Sequence, residues 1–218
     1  MNRIFPVLAA FALALMAATL LLGLTLGDVR GSMRELGAAE TRLAKLRGAA
    51  ERNTPEAVQL RADVERLRGM ERWKSVHFLS GLLSAVVVMF VAGVAITYFV
   101  GTSRWCREVV DAYRLDIELA RASARLKRRT FPIIVTAMLG LIVVVALGGA
   151  ADPGANLQLK PPGNLGWNDL HFGAALLGLL LVAWAYYAAW ANITEHQLVM
   201  NKIMEEVKRI RAERGLPD

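Results

Sequence analysis

Residues 76–101 have the sequence VHFLSGLLSAVVVMFVAGVAITYFVG, which contains no Asp, Glu, Lys or Arg. An uncharged run of this length is typical of a helix that crosses a membrane, because the hydrocarbon core requires about 20 apolar residues. Residues 4–27, 131–150 and 170–191 form three further runs of the same kind. The sequence therefore predicts an all-α integral membrane protein with four transmembrane helices.

The composition of the whole chain agrees with this fold class. It is 55% hydrophobic, yet it carries 26 Lys and Arg against 19 Asp and Glu, for a net charge of +7. These charges lie between the apolar runs, so we expect them to face the membrane surface and its anionic lipid headgroups. No motif or basic-aromatic pattern of a nucleic-acid-binding protein is present. Cys106 is the only cysteine, which excludes a disulfide scaffold.

Basic residues beside the spans predict the orientation of the chain. The connection 102–130 carries eight basic residues, whereas the connection 151–169 carries one. This contrast places 102–130 and both termini inside, and it places 28–75 outside although that connection holds eleven basic residues. We expect a bacterial inner membrane with both termini cytoplasmic. The first span is too long and apolar for a signal peptide, so we expect it to be retained.

The long connections are predicted to be helical themselves. Residues 29–74 carry two heptad-like apolar stripes, separated by a break at Thr54 and Pro55. A Thr followed by Pro at the first helical position is a typical helix start. We therefore predict an outer helical hairpin about 30 Å tall, an inner helical pair at 104–128, and an amphipathic tail at 194–214.

Two segments of the chain share the pattern W-x-x-[VL]-H-F-x-x-x-L-L. They are residues 73–83 and 167–177, at the start of the second and fourth spans. The first and third spans also begin alike, with R-I-F-P at 3–6 and R-T-F-P at 129–132. Because Trp and His are rare in this chain, matches in a fixed register favour a real internal repeat.

The repeat predicts a duplicated two-span hairpin, made of residues 1–128 and 129–218. The outer hairpin 29–74 would be an insertion of about 32 residues in the first copy. Both copies would cross the membrane in the same direction, so His77 and His171 would lie at the same depth. In an up-down-up-down bundle the second and fourth helices are diagonal, and the two imidazoles would face each other.

Small residues follow each histidine at i+3, i+4 and i+7. They are Ser80, Gly81 and Ser84 after His77, and Ala174, Ala175 and Gly178 after His171. Such a face either permits close helix packing or leaves a slot for a flat group. We predict that both histidines are axial metal ligands of one haem b. Lys74, Trp167 and Asn168 lie one turn outward, where haem propionates need donors.

Other interpretations of the histidine pair remain open. Trp and His near a span end are common interface anchors, and a buried histidine can bond to a backbone carbonyl. A metal without haem is less favoured, because Asp169 is the only nearby third ligand and lies off the histidine face. His196 has no counterpart in the other copy and is predicted to be solvated. An aromatic belt or a quinone-lining surface is predicted from Trp184, Tyr186, Tyr187 and Trp190.

The absence of catalytic motifs limits the functions that the sequence supports. There is no P-loop, H-E-x-x-H or G-x-S-x-G, and the spans lack the charged groups that ion transport uses. We expect a b-type cytochrome-like electron-transfer subunit rather than a stand-alone enzyme, with a quinone as one candidate partner. The alternative is a non-catalytic accessory subunit whose extensions 29–74, 104–130 and 194–214 bind partner subunits.

Overall fold

Five α-helices make up the part of the chain that the structure describes, with no strand among them. The structure is a computed structural model, and it describes residues 1–26, 29–46, 54–152, 161 and 163–215, apart from the side chains of residues 29 and 30. The helices are α1 Ile4–Leu24, α2 Val29–Lys45, α3 Pro55–Tyr113, α4 Ile117–Ala151 and α5 Trp167–Glu213.

Helices α1, α3, α4 and α5 are long and apolar enough to cross a membrane. The predicted all-helical architecture with four candidate spans is therefore confirmed. Most of each apolar stretch is not buried within the chain. Large side chains such as Leu21, Phe90 and Leu139 point outward instead, where contact with lipid would cover them.

Helix α3 is continuous over 59 residues, which makes it about 90 Å long. It begins at the predicted break, where the Thr54 hydroxyl accepts a hydrogen bond from the Ala57 amide at 3.2 Å and Pro55 occupies the first helical position. It ends at Arg114, which adopts a left-handed conformation with φ 57°. The second candidate span is thus the middle of one continuous helix that extends past the apolar stretch at both ends.

The turn between α3 and α4 lies where the sequence predicts the inner helical pair. Asp116 caps α4 by accepting a hydrogen bond from the Glu118 amide at 2.9 Å. Helix α4 then runs through Pro132 without a break. The predicted inner helices are therefore the terminal part of α3 and the first turns of α4, not separate elements.

The four long helices form a square bundle. Helices α1 and α4 each pack against both α3 and α5, whereas α1 and α4 make no close contact with each other within the described residues. Helices α3 and α5 therefore lie on one diagonal, as predicted. Phe5 and Tyr186 meet in the core with ring centroids 5.8 Å apart.

The buried residues of α3 correspond to buried residues of α5 whose numbers are higher by 94. The matching pairs are Ser84 and Gly178, Val88 and Val182, Val91 and Ala185, Ala92 and Tyr186, Ala95 and Ala189, and Phe99 and Ile193. This is the offset of the shared W-x-x-[VL]-H-F pattern.

Helices α1 and α4 match in the same way at an offset of 125. The buried pairs are Phe5 and Thr130, Ala9 and Ile134, Ala12 and Ala137, and Met16 and Leu141. The R-x-F-P match in the sequence has an offset of 126. The buried positions of α4 that match those of α1 therefore lie one residue earlier than this sequence match predicts. The offsets of 125 and 94 differ by 31. By this measure the segment inserted in the first copy is 31 residues long, one residue fewer than the sequence matches indicate.

Helix α2 packs against the first turns of α3. Leu36 and Ala39 on α2 meet Val64 and Leu67 on α3, at the spacing of the predicted heptad-like stripes. Arg68 and Glu40 form an ion pair across this contact at 2.9 Å. We call α2 and residues 55–74 of α3 the charged hairpin.

The opposite end of the bundle is held by a second small core. Cys106 and Val110 of α3 pack there with Ile203 and Val207 of α5. Along the predicted amphipathic tail, His196, Ile203 and Val207 are buried, whereas Leu198 is 60% exposed.

Candidate functional site

The structure brings His77 and His171 together at one end of the bundle. His77 lies near the middle of the long α3 and His171 in the first turns of α5, on the diagonal pair of helices. Their ring centroids are 6.4 Å apart with an angle of 74° between the ring planes. We call the region around these two rings the His-pair end.

A backbone hydrogen bond fixes the ring of His171. Its Nδ1 lies 3.2 Å from the carbonyl oxygen of Val144, and since a carbonyl only accepts, Nδ1 carries the proton. In neutral imidazole the lone pair then belongs to Nε2. Within the described residues this is the only hydrogen bond that either imidazole of the pair makes.

The ring of His77 has the same neighbourhood but a different hydrogen-bonding state. Its buried Nδ1 lies toward the backbone of Thr19 without forming a hydrogen bond to it. The Thr19 hydroxyl is also buried and without a partner. Thr19 and Val144 are related by the offset of 125, so the two histidines face equivalent places on α1 and α4.

A glycine lies against each imidazole. A Cβ atom at Gly23 would be 2.9 Å from Cε1 of His77, and a Cβ atom at Gly148 would be 2.9 Å from Cε1 of His171. These glycines also share the offset of 125. No sequence pattern marks these two glycines, although each lies in the last two turns of its helix, α1 or α4.

The small residues that follow each histidine differ in their contacts and in their burial. Ser80 donates a hydrogen bond to the carbonyl of His77 at 2.9 Å. Gly81 faces the methyl group of Thr19, and Gly178 faces the side chain of Val144 so closely that an added Cβ would be 2.7 Å away. These glycines therefore allow α1 and α4 to approach α3 and α5. Ser84 is buried, whereas Ala174 and Ala175 are half-buried.

An ion pair closes the outer side of the His-pair end. Lys74 Nζ lies 2.7 Å from Asp152 Oδ1, and both side chains are more than two-thirds buried. This pair joins α3, one turn before His77, to the end of α4. Asp169, the one extra ligand weighed for a bare metal, instead accepts a hydrogen bond from the Gly166 amide at the start of α5.

No group of three or more His, Cys, Asp or Glu side chains converges anywhere in the described part of the chain. A metal held by protein groups alone therefore gains no support beyond the two histidines.

His196 is fully buried at the opposite end, so the prediction that it is solvated is wrong. Its Nε2 lies 2.8 Å from the Ser123 hydroxyl and its Nδ1 3.2 Å from the Tyr98 hydroxyl. Ser123 donates to the Ser103 hydroxyl at 3.0 Å. Nε2 then donates to Ser123, and Nδ1 accepts from Tyr98. We call these four residues the His196 network.

Burial keeps the side chains of His196 and Cys106 in their neutral forms. Desolvation lowers the pKa of His196 to about 4, since the charged imidazolium would lose its hydration. Desolvation also raises the pKa of the Cys106 thiol, which keeps it protonated and unreactive. Both groups therefore act as neutral parts of the packed core.

The aromatic residues of α5 divide into two groups. Trp184, Tyr187 and Trp190 are exposed, as a belt facing lipid requires. Tyr186 is buried, and its hydroxyl donates to the carbonyl of Val88 at 2.6 Å. The inclusion of Tyr186 in the belt is therefore wrong, because its position in the helix turns it toward α3.

Comparisons with known proteins give no family for the chain: no family model matches it, and neither a curated protein nor a solved structure shows a match. The fold thus defines the class, a helical protein with four helices able to span a membrane. Its function rests on the chemistry of its own residues.

Proposed function

We propose that this chain is a membrane-embedded, b-type cytochrome-like electron-transfer subunit that holds one haem between His77 and His171. The observation that carries the proposal is the meeting of the two imidazoles across the bundle. Imidazole is a common axial ligand of haem iron. The haem would supply one-electron oxidation and reduction, while the protein would bind it, orient it and exclude water.

The separation of the rings supports a metal between them. A metal–imidazole bond is about 2.0 Å long, so two opposed bonds place the nitrogens about 4 Å apart. Because the centre of each ring lies behind its coordinating nitrogen, the ring centres of such a pair would be about 6 Å apart. The observed separation is 6.4 Å.

The surroundings of the rings also suit coordination. The hydrogen bond from His171 Nδ1 to Val144 is the outer contact that metal-bound histidines normally make, and it leaves Nε2 for the iron. Gly23 and Gly148 carry no side chain, which lets each imidazole lie directly against the backbone of α1 or α4.

Polar groups near the outer surface could hold the propionates. Lys74 is one turn from His77, and Trp167 and Asn168 begin α5 just before His171. Lys74 forms an ion pair with Asp152. A propionate would therefore share the Lys74 ammonium group with that carboxylate. Ser80, Gly81, Ser84, Ala174, Ala175 and Gly178 would form the small-residue surroundings of the site.

The symmetry of the site leads us to propose that the chain is a duplicated two-helix hairpin, with the charged hairpin inserted in the first copy. The matching burial at offsets of 94 and 125 supports this origin, as does the pairing of each histidine with an equivalent glycine. A duplication explains how two axial ligands arise at the same level.

The proposed setting is a bacterial inner membrane with both termini cytoplasmic. Lipid contacts the exposed apolar faces, and partner subunits bind the charged hairpin, the ends of α3 and α4 near residues 104–130, and the tail 194–214. A quinone is a candidate electron partner. The charge distribution that predicts the orientation also supports this arrangement.

A second candidate function is that of a structural subunit without a cofactor. Gly81 against Thr19 and Gly178 against Val144 are close helix contacts that need no ligand, and aromatic rings in plain contact also lie about 4.5–7 Å apart. In that case the protein contributes surfaces for assembly, and the histidines pack the bundle.

Absorption spectroscopy distinguishes these candidates. Protein purified from haem-replete cells should show a Soret band and, after reduction, separate α and β bands. His77→Ala and His171→Ala should each remove or alter the bands, whereas His196→Gln should keep them per folded molecule. A colourless wild-type protein would exclude the cytochrome function and leave the structural one.

Cysteine labelling tests the orientation. In a Cys106→Ala background, single cysteines at Glu51 and Gln158 should react with a membrane-impermeant maleimide from the same, outer side. Reaction from opposite sides would contradict the proposed topology.

A further inference from the structure

Four basic side chains lie at the end of the bundle opposite the His pair. Arg3 directly precedes α1, and Lys127, Arg128 and Arg129 lie just before the uncharged run 131–150 of α4. Arg3, Arg128 and Arg129 are exposed, whereas Lys127 is half-buried. We call these four residues the basic rim.

Two hydrogen bonds to α5 place the basic rim at one level of the bundle. Asn2, the residue before Arg3, accepts a hydrogen bond from the Thr194 hydroxyl at 2.7 Å. On α4, the hydroxyl of the residue after Arg129 accepts one from the side-chain amide of Asn192 at 2.9 Å. Both arginines therefore lie beside the same turn of α5.

The three basic residues of α4 point to different sides of the helix, because successive residues are about 100° apart. Thr130 is 1% exposed and marks the side that faces the core. Arg128 lies about 200° from it and so points away from the bundle. Lys127 and Arg129 lie on the two flanks of the helix.

The basic rim carries positive charge that the protein does not neutralise. Within the described residues, none of its four members lies within ion-pair distance of a carboxylate. Three basic residues farther from the apolar stretch are paired instead, Arg104 with Glu108, and Arg121 and Arg125 with Glu118. The cations of the basic rim are therefore available to an external anion.

An exposed apolar strip continues from the basic rim along the outward side of α4. Val135 and Leu139 follow Arg128 by about two and three turns, which places all three residues on the same side of the helix. Val135 is 42% exposed and Leu139 is 58% exposed. This side of α4 therefore suits a ligand with an anionic group next to a long apolar chain, which describes a phospholipid rather than a free phosphate ion.

An exposed aromatic side chain marks the depth of the basic rim in the membrane. Trp190 is 39% exposed and lies one turn before Thr194, whose hydroxyl also donates to the Trp190 carbonyl at 3.0 Å. Tryptophan is enriched at the membrane–water interface, so the basic rim lies at the level of the lipid phosphates. Glu195 is the one carboxylate of α5 at this level and is exposed, which leaves the level positively charged.

We propose that the basic rim is a binding site for the phosphate groups of anionic phospholipids. A guanidinium group donates two parallel hydrogen bonds to a phosphate, and the acyl chains of the same lipid lie along the apolar strip of α4. Each cation near an anionic membrane surface increases the affinity roughly fivefold. The proposal requires a bundle that spans a membrane and does not depend on the haem function.

Native mass spectrometry of the full-length protein measures this binding. The wild type, purified in detergent, is mixed with phosphatidylglycerol or with phosphatidylcholine of the same acyl chains. We expect phosphatidylglycerol to bind roughly tenfold more tightly. A variant that combines Lys127→Gln, Arg128→Gln and Arg129→Gln should lose roughly fivefold in this affinity for each cation removed. Equal affinity of the wild type for the two lipids would overturn the proposal.

A matched variant removes the same charge elsewhere. Arg107→Gln, Lys202→Gln and Lys208→Gln change three exposed basic residues that lie about 10–20 Å farther from the apolar stretch, beyond the screening length of about 10 Å in about 0.1 M salt. This protein should bind phosphatidylglycerol as the wild type does. An equal loss in both triple variants, or displacement of the lipid by inorganic phosphate, would show a general attraction of anions and rule out a lipid site.

Single substitutions at Arg128 keep the test independent of folding, because this side chain points away from the core. Arg128→Gln should weaken the binding of phosphatidylglycerol roughly fivefold, and Arg128→Lys, which keeps the charge, should retain most of it. The same affinity in both variants would show that the charge of Arg128 does not bind the lipid.

Discussion

The two ends of the bundle use histidine in opposite ways. In the His196 network, hydroxyl groups satisfy both ring nitrogens, and the side chain is fully buried. At the His-pair end, the two rings together make one hydrogen bond within the described residues, and they meet edge to face with their centroids 6.4 Å apart. A histidine whose nitrogens are both occupied contributes to packing, whereas one with an available nitrogen can bind something else.

The largest effect should come from filling the glycine positions at the His-pair end. Gly23→Ala or Gly148→Ala places a methyl group 2.9 Å from an imidazole carbon, so the ring must move, and we expect about a tenfold loss of bound haem. Haem per protein measures this loss. Gly93→Ala is the matched control, because nothing lies within 4 Å of its Cβ position. Full haem content in both variants would show that the ring positions do not matter.

Removing a member of the His196 network should lower stability but leave the spectrum alone. Ser123→Ala takes away the partner of His196 Nε2 and leaves buried groups unsatisfied, which costs about 1–3 kcal/mol. Denaturant titration in detergent measures the change. Ser80→Ala is the control, since that hydroxyl bonds only to its own helix. A Ser123→Ala protein as stable as the wild type would show that the network does not hold the helices together.

The same network predicts a dependence of stability on pH. The pKa of His196 is about 4 in the folded protein against 6.5 for an unperturbed histidine. The unfolded chain therefore binds more protons between these values, so stability is full above pH 6.5 and falls as the pH decreases toward 4. The slope from this group approaches about 1.4 kcal/mol per pH unit.

The measurement is the unfolding free energy of the wild type and of His196→Gln from pH 7.5 to 4.5. The difference between the two proteins should shrink as the pH falls, because only the wild type loses this contribution. A constant difference would show that His196 titrates normally, and the contrast between the two ends of the bundle would lose its electrostatic basis.

The smallest effect is expected from the ion pair of Lys74 and Asp152. A partly exposed pair of this kind contributes about 0.5–1 kcal/mol. A double-mutant cycle with Lys74→Met and Asp152→Asn should give a coupling of that size. A coupling energy near zero would show that the ion pair does not stabilise the His-pair end.

The spans and the histidine pair were accessible from the sequence because they depend on local patterns. Uncharged runs predict the helices, and Thr54 with Pro55 predicts a helix start that the structure confirms. The shared W-x-x-[VL]-H-F pattern placed His77 and His171 on matching helices. These features depend on composition and spacing along one segment, which the sequence shows directly.

Other features depend on contacts between segments far apart in the chain. Gly23 and Gly148 matter only through the rings they touch, and no local pattern marks them. His196 was misjudged because it has no counterpart in the other copy of the repeat. It is buried together with Asn192, Ile203 and Val207, and this burial depends on the helices packed against that part of α5, which the spacing along one segment does not show.

The continuous helix α3 gives the molecule a mechanical property. One rod of 59 residues joins the charged hairpin, His77 and the core around Cys106. A helix resists stretching along its axis because each backbone hydrogen bond spans one turn. A force applied to the charged hairpin along the helix axis would therefore reach His77 without passing through a loop.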